Sequence, residues 1–439
     1  MESITHAVAT WQVVAAVVIF LITYAIIITE KINRAVIAVF GGLLMIILGM
    51  VDLEAAYGHH IEWKTIFLLV GMMILVGISN KTGMFQYVAV KAAQRAQGDP
   101  TRILVILSAL TAIGSAFLDN VTTVLLIVPV TLSITRILQI NPLPFLISEI
   151  LASNIGGTAT LIGDPPNIMI GSANEHLTFN MFLINLAPPV IIIMVVTIWI
   201  LTKIYRKQMI VSPERKTQLM DLSAANYITD PKLMRKSLIV LILTILGFVL
   251  HSVIHVEAAV VAMTGATILM LIGVKEHDLE EVFHSVEWVT IFFFVGLFVL
   301  VGGLIDVGVI KFLASKAIEI TAGDMTFTVM LILWVSGIAS ATIDNIPFVA
   351  TMIPLIDDMG VQMGITDVQQ LNPVWWALAL GACLGGNGTL IGASANVIVA
   401  GLAAREGKEI TYMHFLKIGA PLTLVALVIS TVYVYFVYL

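Results

Sequence analysis

The chain has 439 residues, of which 59% are hydrophobic and only 11% are charged, and its mean hydropathy is +1.02. A soluble domain is about 45–50% apolar and about 25% charged, so this composition indicates a polytopic membrane protein in a lipid bilayer. The net charge of −6 is too small and too scattered to indicate a nucleic-acid partner, and the single cysteine, Cys383, excludes an intrachain disulfide or a cysteine-based metal cluster.

Membrane spans are predicted wherever about 20 apolar residues follow one another. In chain order, such stretches lie at 11–29, 34–51, 64–80, 144–172, 181–203, 236–252, 256–274, 288–305, 373–400 and 413–437. Two further apolar stretches, 102–138 and 325–360, are each interrupted at their middle by an Asp-Asn pair. Each of these two is either one long kinked span or a helical hairpin that enters and leaves the membrane on the same side.

The distribution of basic residues favours two hairpins. With hairpins the chain makes ten crossings, and all but three of its 22 Lys and Arg residues lie on one side of the membrane. Treating 102–138 as a full crossing would place the basic loop 204–235 opposite the basic residues of 31–34 and 81–102. Short loops rich in Lys and Arg stay in the cytoplasm, so both termini are predicted outside and the 204–235 loop inside. The expected location is the plasma or inner membrane.

A pair of motifs occurs twice in the chain. The first copy reads SAFLDNVTTVLLIVP (115–129) followed by GGTATLIGDPPN (156–167), and the second reads SATIDNIPFVATMIP (340–354) followed by GGNGTLIGASAN (385–396). The copies are offset by 225 residues in the first motif and by 229 in the second. Glu62 and Glu287 head a further matched stretch at the offset of 225. The chain is therefore predicted to contain two repeats.

The predicted domains follow from this repeat. They are a first repeat over 1–203, with a hairpin at about 102–138 and a broken helix at about 144–172, a cytoplasmic linker over 204–235, and a second repeat over 236–439, with a hairpin at about 325–360 and a broken helix at about 373–400. Each half holds five crossings plus a re-entrant hairpin. Because five is odd, the second half is predicted to be inverted, so that the first hairpin enters from the cytoplasm and the second from outside. Inverted repeats with broken helices near the midplane are a recurring transporter architecture.

The motifs place polar groups where lipid would make them costly. Glycines interrupt both predicted broken helices, and a Pro-Pro pair adds to the first break, so backbone carbonyls and helix ends become free to bind ions or polar solutes. The pairs Asp119-Asn120 and Asp344-Asn345 fall where each hairpin must turn. Such residues often cap helices, but their matched placement in both halves favours a binding site.

Asp164 breaks the repeat, because its counterpart is Ala393. We predict Asp164 to be a proton or cation site, with capping of the helix after the break as the alternative. Glu149, which lies shortly before the break, is a candidate member of a proton pathway. Asn167 and Asn396 are either ligands or supports for the unwound backbone.

No Lys or Arg falls within either hairpin tip or either broken-helix segment. A di- or tricarboxylate would therefore have to be neutralised by co-ions and helix N-termini alone. A cation or a neutral hydroxylated solute fits a carboxylate-bearing, base-free cavity better. The carboxylates then supply proton coupling, since each can exchange a proton for the solute.

The strings FLDNVTT, NIGGTATLIGDPPN, DNIPF and GTLIGASAN resemble motifs of the ion transporter superfamily, and the similarity covers essentially the whole chain. The chain is most similar to the branch that holds ArsB-type arsenite permeases, NhaD-type sodium/proton antiporters and the melanosomal P protein. The resemblance implies a scaffold domain, a mobile transport domain that carries both hairpins and both broken helices, and elevator-type alternating access. It also implies a homodimer and a soluble ATPase subunit as candidate partners.

By motif, the binding site of the family falls on polar and glycine positions of both copies. In this chain these positions are Asp119, Asn120, Thr122, Asn154, Gly156, Thr158, Thr160, Asp164, Asp344, Asn345, Asn387 and Thr389. Dicarboxylate-transporting relatives resemble the chain in fold but carry Ser-Asn-Thr at the hairpin tips. The Asp-Asn tips therefore argue against a carboxylate substrate.

The first prediction for function is a proton-coupled secondary transporter that exports arsenite or antimonite. Arsenite is an uncharged trihydroxide at neutral pH, and hydroxyl and amide groups can bind it. The alternative is a sodium/proton antiporter, which fits the residues equally well, and an anion transporter or a channel is less favoured. Because no nucleophile–base pair or metal cluster is apparent in the sequence, neither an enzyme activity nor a cofactor is predicted.

Overall fold

The computed structural model describes residues 9–29 and 31–439. Over this part of the chain the secondary structure is helical, without a β-strand. Nine of the described helices are long and apolar enough to cross a membrane, and four further apolar helices are shorter. The prediction of an all-α polytopic membrane protein is confirmed.

The first half of the chain contains ten α-helices. They are α1 (Thr10–Thr29), α2 (Arg34–Ile47), α3 (Leu53–Ala55), α4 (Trp63–Asn80), α5 (Met84–Arg95), α6 (Pro100–Phe117), α7 (Asn120–Leu138), α8 (Leu143–Gly157), α9 (Pro165–Ala173) and α10 (Phe179–Tyr205). A π-helical turn, Ala56–His60, follows α3.

The predicted linker holds short helices, and the second half follows the order of the first. The linker contains α11 (Pro213–Met220) between the 3₁₀ turns Arg206–Gln208 and Ala224–Tyr227. The second half consists of α12 (Pro231–Ile254), α13 (Ala258–Gly273), the 3₁₀ turn Glu276–Asp278, α14 (Leu279–Phe283), α15 (Trp288–Asp306), α16 (Val309–Thr321), α17 (Met325–Thr342), α18 (Asn345–Gln362), the 3₁₀ turn Val368–Leu371, α19 (Asn372–Gly385), α20 (Ser394–Arg405) and α21 (Tyr412–Tyr438).

The two predicted hairpins are the helix pairs α6–α7 and α17–α18, and each pair turns at its Asp-Asn motif. The Asp is the N-cap residue of the second helix in both pairs. The Asp119 carboxylate accepts a hydrogen bond from the backbone N–H of Thr122 at 2.8 Å, and Asp344 accepts one from Ile346 at 3.1 Å. Free N–H groups at a helix start need such acceptors, so the motif itself specifies the turn.

Both predicted broken helices are interrupted where expected, between α8 and α9 and between α19 and α20. The Asn167 side-chain amide donates to the carbonyl oxygens of Thr158 and Thr160, at 3.0 and 2.8 Å. Asn396 donates in the same way to two carbonyl oxygens of the second break, at 2.8 and 3.0 Å. These two amides support the unwound backbone and satisfy carbonyls that would otherwise be unpaired in a buried place.

The same close helix crossing occurs twice, each time between one helix of each half. A Cβ atom on Gly296 of α15 would lie 2.5 Å from the backbone of Ala38 on α2. A Cβ atom on Gly71 of α4 would lie 2.8 Å from the backbone of Ala262 on α13. Only glycine lets two helix backbones approach this closely. The packing therefore repeats, while the inversion of one half relative to the bilayer stays a prediction.

Candidate ion- and solute-binding site

The two hairpin tips and the two helix breaks meet around a small cavity of about 20 Å³. Its polar lining consists of Arg34, Asp119, Asn120, Asp164, Glu287, Thr290, Asn345 and Ser394. About 10–15 Å³ of such volume is needed to hold one water molecule, so the cavity admits a water or a desolvated monovalent cation. Within residues 9–29 and 31–439, no three His, Cys, Asp or Glu residues converge as a metal centre would require.

The first tip presents a carboxylate and an amide to this cavity. Asp119 is bound within its own turn by the backbone N–H and the hydroxyl of Thr122. The amide of Asn120 donates to Asp164 at 3.2 Å and to Asn154 at 3.0 Å. The first tip is thus joined to the break in the α8–α9 segment.

Asp164 is fully buried, and one of its carboxylate oxygens has no hydrogen-bond partner among the described residues. Asp164 stands at the N-cap position of α9, but no backbone N–H of this helix donates to its carboxylate, so the side chain does not cap the helix. A buried acceptor without a partner is costly in a folded protein unless a ligand or water completes it. This orphan oxygen belongs to a residue that lines the cavity.

A group of buried asparagines connects the two halves of the chain. The amide of Asn154, on α8, donates to the side-chain oxygens of Asn387 and Asn396, both at 2.9 Å. Asn387 in turn donates to the backbone oxygen of Leu151 on α8 at 3.3 Å. The two breaks therefore share one hydrogen-bonded network.

The second tip differs from the first, because its carboxylate is paired with an arginine. Arg34 donates to Asp344 at 3.0 Å, and the hydroxyl of Ser394 donates to the same carboxylate oxygen at 2.9 Å. Arg34 lies at the start of α2, far from both motifs in sequence, and reaches the tip because α2 packs on α15 next to Glu287. The expectation of a base-free cavity is therefore wrong.

Asn345 lines the cavity with an amide nitrogen that has no partner among the described residues. Its counterpart Asn120 donates to Asn154 and Asp164, and at the offset of 229 those two acceptors are replaced by Cys383 and Ala393. The repeat keeps the donor but replaces these two acceptors. The Asn345 amide instead lies near the Asp164 carboxylate without forming a well-aligned hydrogen bond, so one donor on Asn345 and one acceptor on Asp164 remain incompletely satisfied in the cavity.

The other predicted site residues fasten the hairpins to the broken helices. The hydroxyls of Thr160 and Thr389 donate to carbonyl oxygens near the ends of α6 and α17, respectively. Thr158 donates to a backbone oxygen of its own helix at 2.7 Å. A Cβ atom on Gly156 would lie 2.1 Å from a carbonyl oxygen of α6. These residues hold the tips in place, and their predicted role as ligands stays a prediction.

Glu149 is fully buried on α8 but does not line the cavity. Thr131 of α7 donates to one of its carboxylate oxygens, and the other oxygen has no partner among the described residues. Its part in a proton pathway stays a prediction.

Four polar residues that line the small cavity were not predicted as site residues from the sequence. They are Arg34, Glu287, Thr290 and Ser394. The match of Glu287 with Glu62 in the repeat was a signal for one of them, since a paired glutamate at a span edge is costly in lipid. Arg34 gave no such signal, because an arginine at the start of a span is ordinarily a cytoplasmic topology marker.

The chain matches known proteins over both halves. The model of a family described as a citrate transporter matches residues 24–381. An uncharacterized transporter of Mycobacterium tuberculosis is 43% identical over 428 residues, which are 97% of this chain and 98% of that protein. The P protein of Mus musculus is 34% identical over 506 aligned residues, which cover 96% of this chain and 60% of that protein. The crystal structure of the YdaH transporter of Alcanivorax borkumensis has a similar fold, with a TM-score of 0.58 at 13% identity over 96% of this chain and 97% of that chain.

Proposed function

Because this chain belongs to the citrate transporter family of the ion transporter superfamily, and is a multi-pass membrane transporter, we propose that it exchanges Na⁺ for protons across the membrane. The observation that carries the proposal is the charge around the cavity. Asp119, Asp164 and Glu287 line about 20 Å³, and the cationic side chain that reaches it, Arg34, is already paired with Asp344. The unneutralised carboxylates suit a small cation, and oxygen ligands suit Na⁺.

Citrate, which the family description names, does not fit this cavity. A tricarboxylate would bring negative charge against Asp119, Asp164 and Glu287, and at about 20 Å³ the cavity is far smaller than such a molecule. Like charges at close range in a poorly solvated site repel strongly. The proposal for this chain therefore departs from the name of its family.

Proton coupling follows from competition for the same carboxylates. A carboxylate that binds Na⁺ releases its proton, and reprotonation from the other side of the membrane releases the ion. We propose that both hairpins and both broken helices move as one unit, in elevator fashion, on a scaffold that forms a homodimer. The hydrogen bonds that fasten each tip to its break, and Asn154 between the breaks, support a common movement.

Export of arsenite or antimonite is the second candidate. A neutral trihydroxide both donates and accepts hydrogen bonds, and the orphan amide of Asn345 and the orphan oxygen of Asp164 provide one partner of each kind. This candidate requires the cavity to widen, because a trihydroxide is larger than one water molecule. A soluble ATPase subunit would be a partner only in this case.

The experiment that separates the candidates uses purified protein in liposomes with an internal pH dye. We expect added Na⁺ to trigger a proton flux in the wild type and Asp119→Asn to lose it. Asparagine keeps the N-cap hydrogen bond of Asp119 but lacks the charge. Asp324→Asn is the matched control, because Asp324 caps another hairpin helix in the same way with an exposed side chain.

Each alternative has its own outcome in that experiment. A proton flux triggered by arsenite and not by Na⁺ would replace the antiporter with the second candidate. A flux triggered by citrate would contradict both. A normal Na⁺ response in Asp119→Asn would show that the carboxylate of the first tip takes no part in the exchange.

The proposed orientation places the termini outside and the 204–235 linker in the cytoplasm, in the plasma or inner membrane. In a Cys383→Ser background, we expect Gln208→Cys to react with a membrane-impermeant maleimide only after the cells are opened. Gln370→Cys, in the segment predicted outside, is expected to react in intact cells. Both side chains are exposed, so access depends on the side of the membrane. Labelling of Gln208→Cys in intact cells would reverse the orientation and with it the proposed inside and outside hairpins.

A further inference from the structure

The two hairpin tips carry the same Asp-Asn pair but different charge partners. Asp344 is bound by Arg34 at 3.0 Å, whereas the hydrogen bonds to Asp119 come from Thr122 in its own turn. Among the described residues, no Lys or Arg forms an ion pair with Asp119. The difference lies at the binding site and leaves the fold of the tips unchanged.

Comparison of the two repeats shows that only the first half carries an arginine at this position. Helices α2 and α13 align at an offset of 224, with small residues in the same places. The matched pairs are Ala35 with Ala259, Ala38 with Ala262, Gly41 with Gly265, and Gly49 with Gly273. At this offset Arg34 corresponds to Ala258. The second half therefore offers no equivalent cation to its neighbours.

Arg34 is held in a fixed place by several groups. Its guanidinium binds both Asp344 and Ser394, and its carbon centre lies 5.0 Å from the ring centroid of the buried Phe293. A guanidinium is planar, permanently charged and suited to carboxylates and aromatic faces. Arg34 and Ser394 also line a second cavity of about 260 Å³, so the pair lies between this cavity and the small one.

We propose that Arg34 is a tethered cation that occupies the second of two repeat-related cation positions, so that the chain binds one Na⁺ where its repeat would provide for two. The inference rests on the proposed function and assigns its binding stoichiometry. The charge of Arg34 neutralises Asp344 and repels a second cation from that tip. The free position is then the one formed by Asp119 and Asp164, because neither carboxylate forms an ion pair with a Lys or Arg among the described residues.

The test is the number of Na⁺ ions bound by purified protein, measured with radioactive Na⁺ at equilibrium in detergent. We expect one ion per chain in the wild type and two in Arg34→Gln, because the substitution leaves Asp344 with a free charge. In liposomes, the Hill coefficient for Na⁺ is expected to rise from about 1 toward 2. A single ion bound by folded Arg34→Gln would overturn the inference.

Three variants keep the result interpretable. Arg34→Lys keeps the charge, and the double variant Arg34→Gln/Asp344→Asn removes both charges, so each is expected to bind one ion. Lys31→Gln removes an exposed positive charge three residues before Arg34 and is also expected to bind one. Two ions bound by the wild type would contradict the tethered cation while leaving the antiporter intact. Folded wild type that binds no Na⁺ would instead overturn the proposed function.

Discussion

Replacing Asp164 by asparagine is expected to lower Na⁺/proton exchange at least about 100-fold while the protein still folds. The side chain is fully buried, lines the cavity and has an oxygen without a partner. Asp164 and the Na⁺ that we propose form a buried charge pair. Removing one member of such a pair costs about 3–5 kcal/mol, and each 1.4 kcal/mol is a factor of ten. We expect the substitution to weaken cation binding and not folding, because the asparagine oxygen can still accept the hydrogen bond from Asn120. Exchange rates in liposomes measure this effect.

The chain offers a close control for this substitution. Asp230 also stands at an N-cap directly before a proline that begins a helix, but its side chain is exposed and far along the chain from both motifs. Asp230→Asn is expected to exchange Na⁺ at the wild-type rate. If Asp164→Asn were as active as Asp230→Asn, the cation could not be bound where we place it.

Replacing Gly156 by alanine is expected to prevent the protein from folding, and not merely to lower its transport activity. The added Cβ would lie 2.1 Å from the carbonyl oxygen and 2.5 Å from the Cα atom of Ala112 on α6. Overpacking a core costs about 1–3 kcal/mol when side chains can shift, and more where two backbones must separate. Yield on size-exclusion chromatography and the thermal unfolding midpoint measure the loss.

Gly401→Ala is the matched control, because Gly401 lies within α20 and a Cβ there would meet no atom within 4 Å. An exposed helical glycine costs about 0.5–1 kcal/mol relative to alanine, so this variant is expected to be slightly more stable. Gly385→Ala, in the second copy, is expected to fail like Gly156→Ala, since its Cβ would lie 2.5 Å from a backbone oxygen of α17. Normal yield of Gly156→Ala would show that the hairpin is not fastened to the break as described.

The sequence alone could predict the helix breaks and the hairpin turns because both are specified locally. Asp119 and Asp344 cap the helices that follow them, and glycines and prolines interrupt the broken helices within a few residues. The number of Lys and Arg residues on each side of the membrane favoured hairpins over kinked spans. The helix pairs of the structure begin and end within a few residues of the predicted limits.

The charge balance of the site could not be predicted in this way. Arg34 lies more than 300 residues from Asp344 in the chain, and only the packing of α2 on α15 brings them together. The expectation of a base-free cavity was based on the motifs alone and therefore did not include Arg34, which α2 supplies. The altered surroundings of Asn345 were more accessible to prediction, since the acceptors that Asn120 uses are replaced by Cys383 and Ala393 in the second copy.

The pairing of Arg34 with one tip only has a consequence for the empty carrier. In a protein built from two identical inverted halves, the inward-facing and outward-facing forms would be related by a two-fold axis in the membrane plane and, in a symmetric bilayer, equally populated. An ion pair made at one tip alone removes this equivalence, and every 1.4 kcal/mol of difference shifts the ratio of the two forms tenfold. In the inverted arrangement that we propose, the unloaded protein therefore has a preferred resting orientation, which sets the side of the membrane that its empty site faces, while the ion gradients set the net direction of transport.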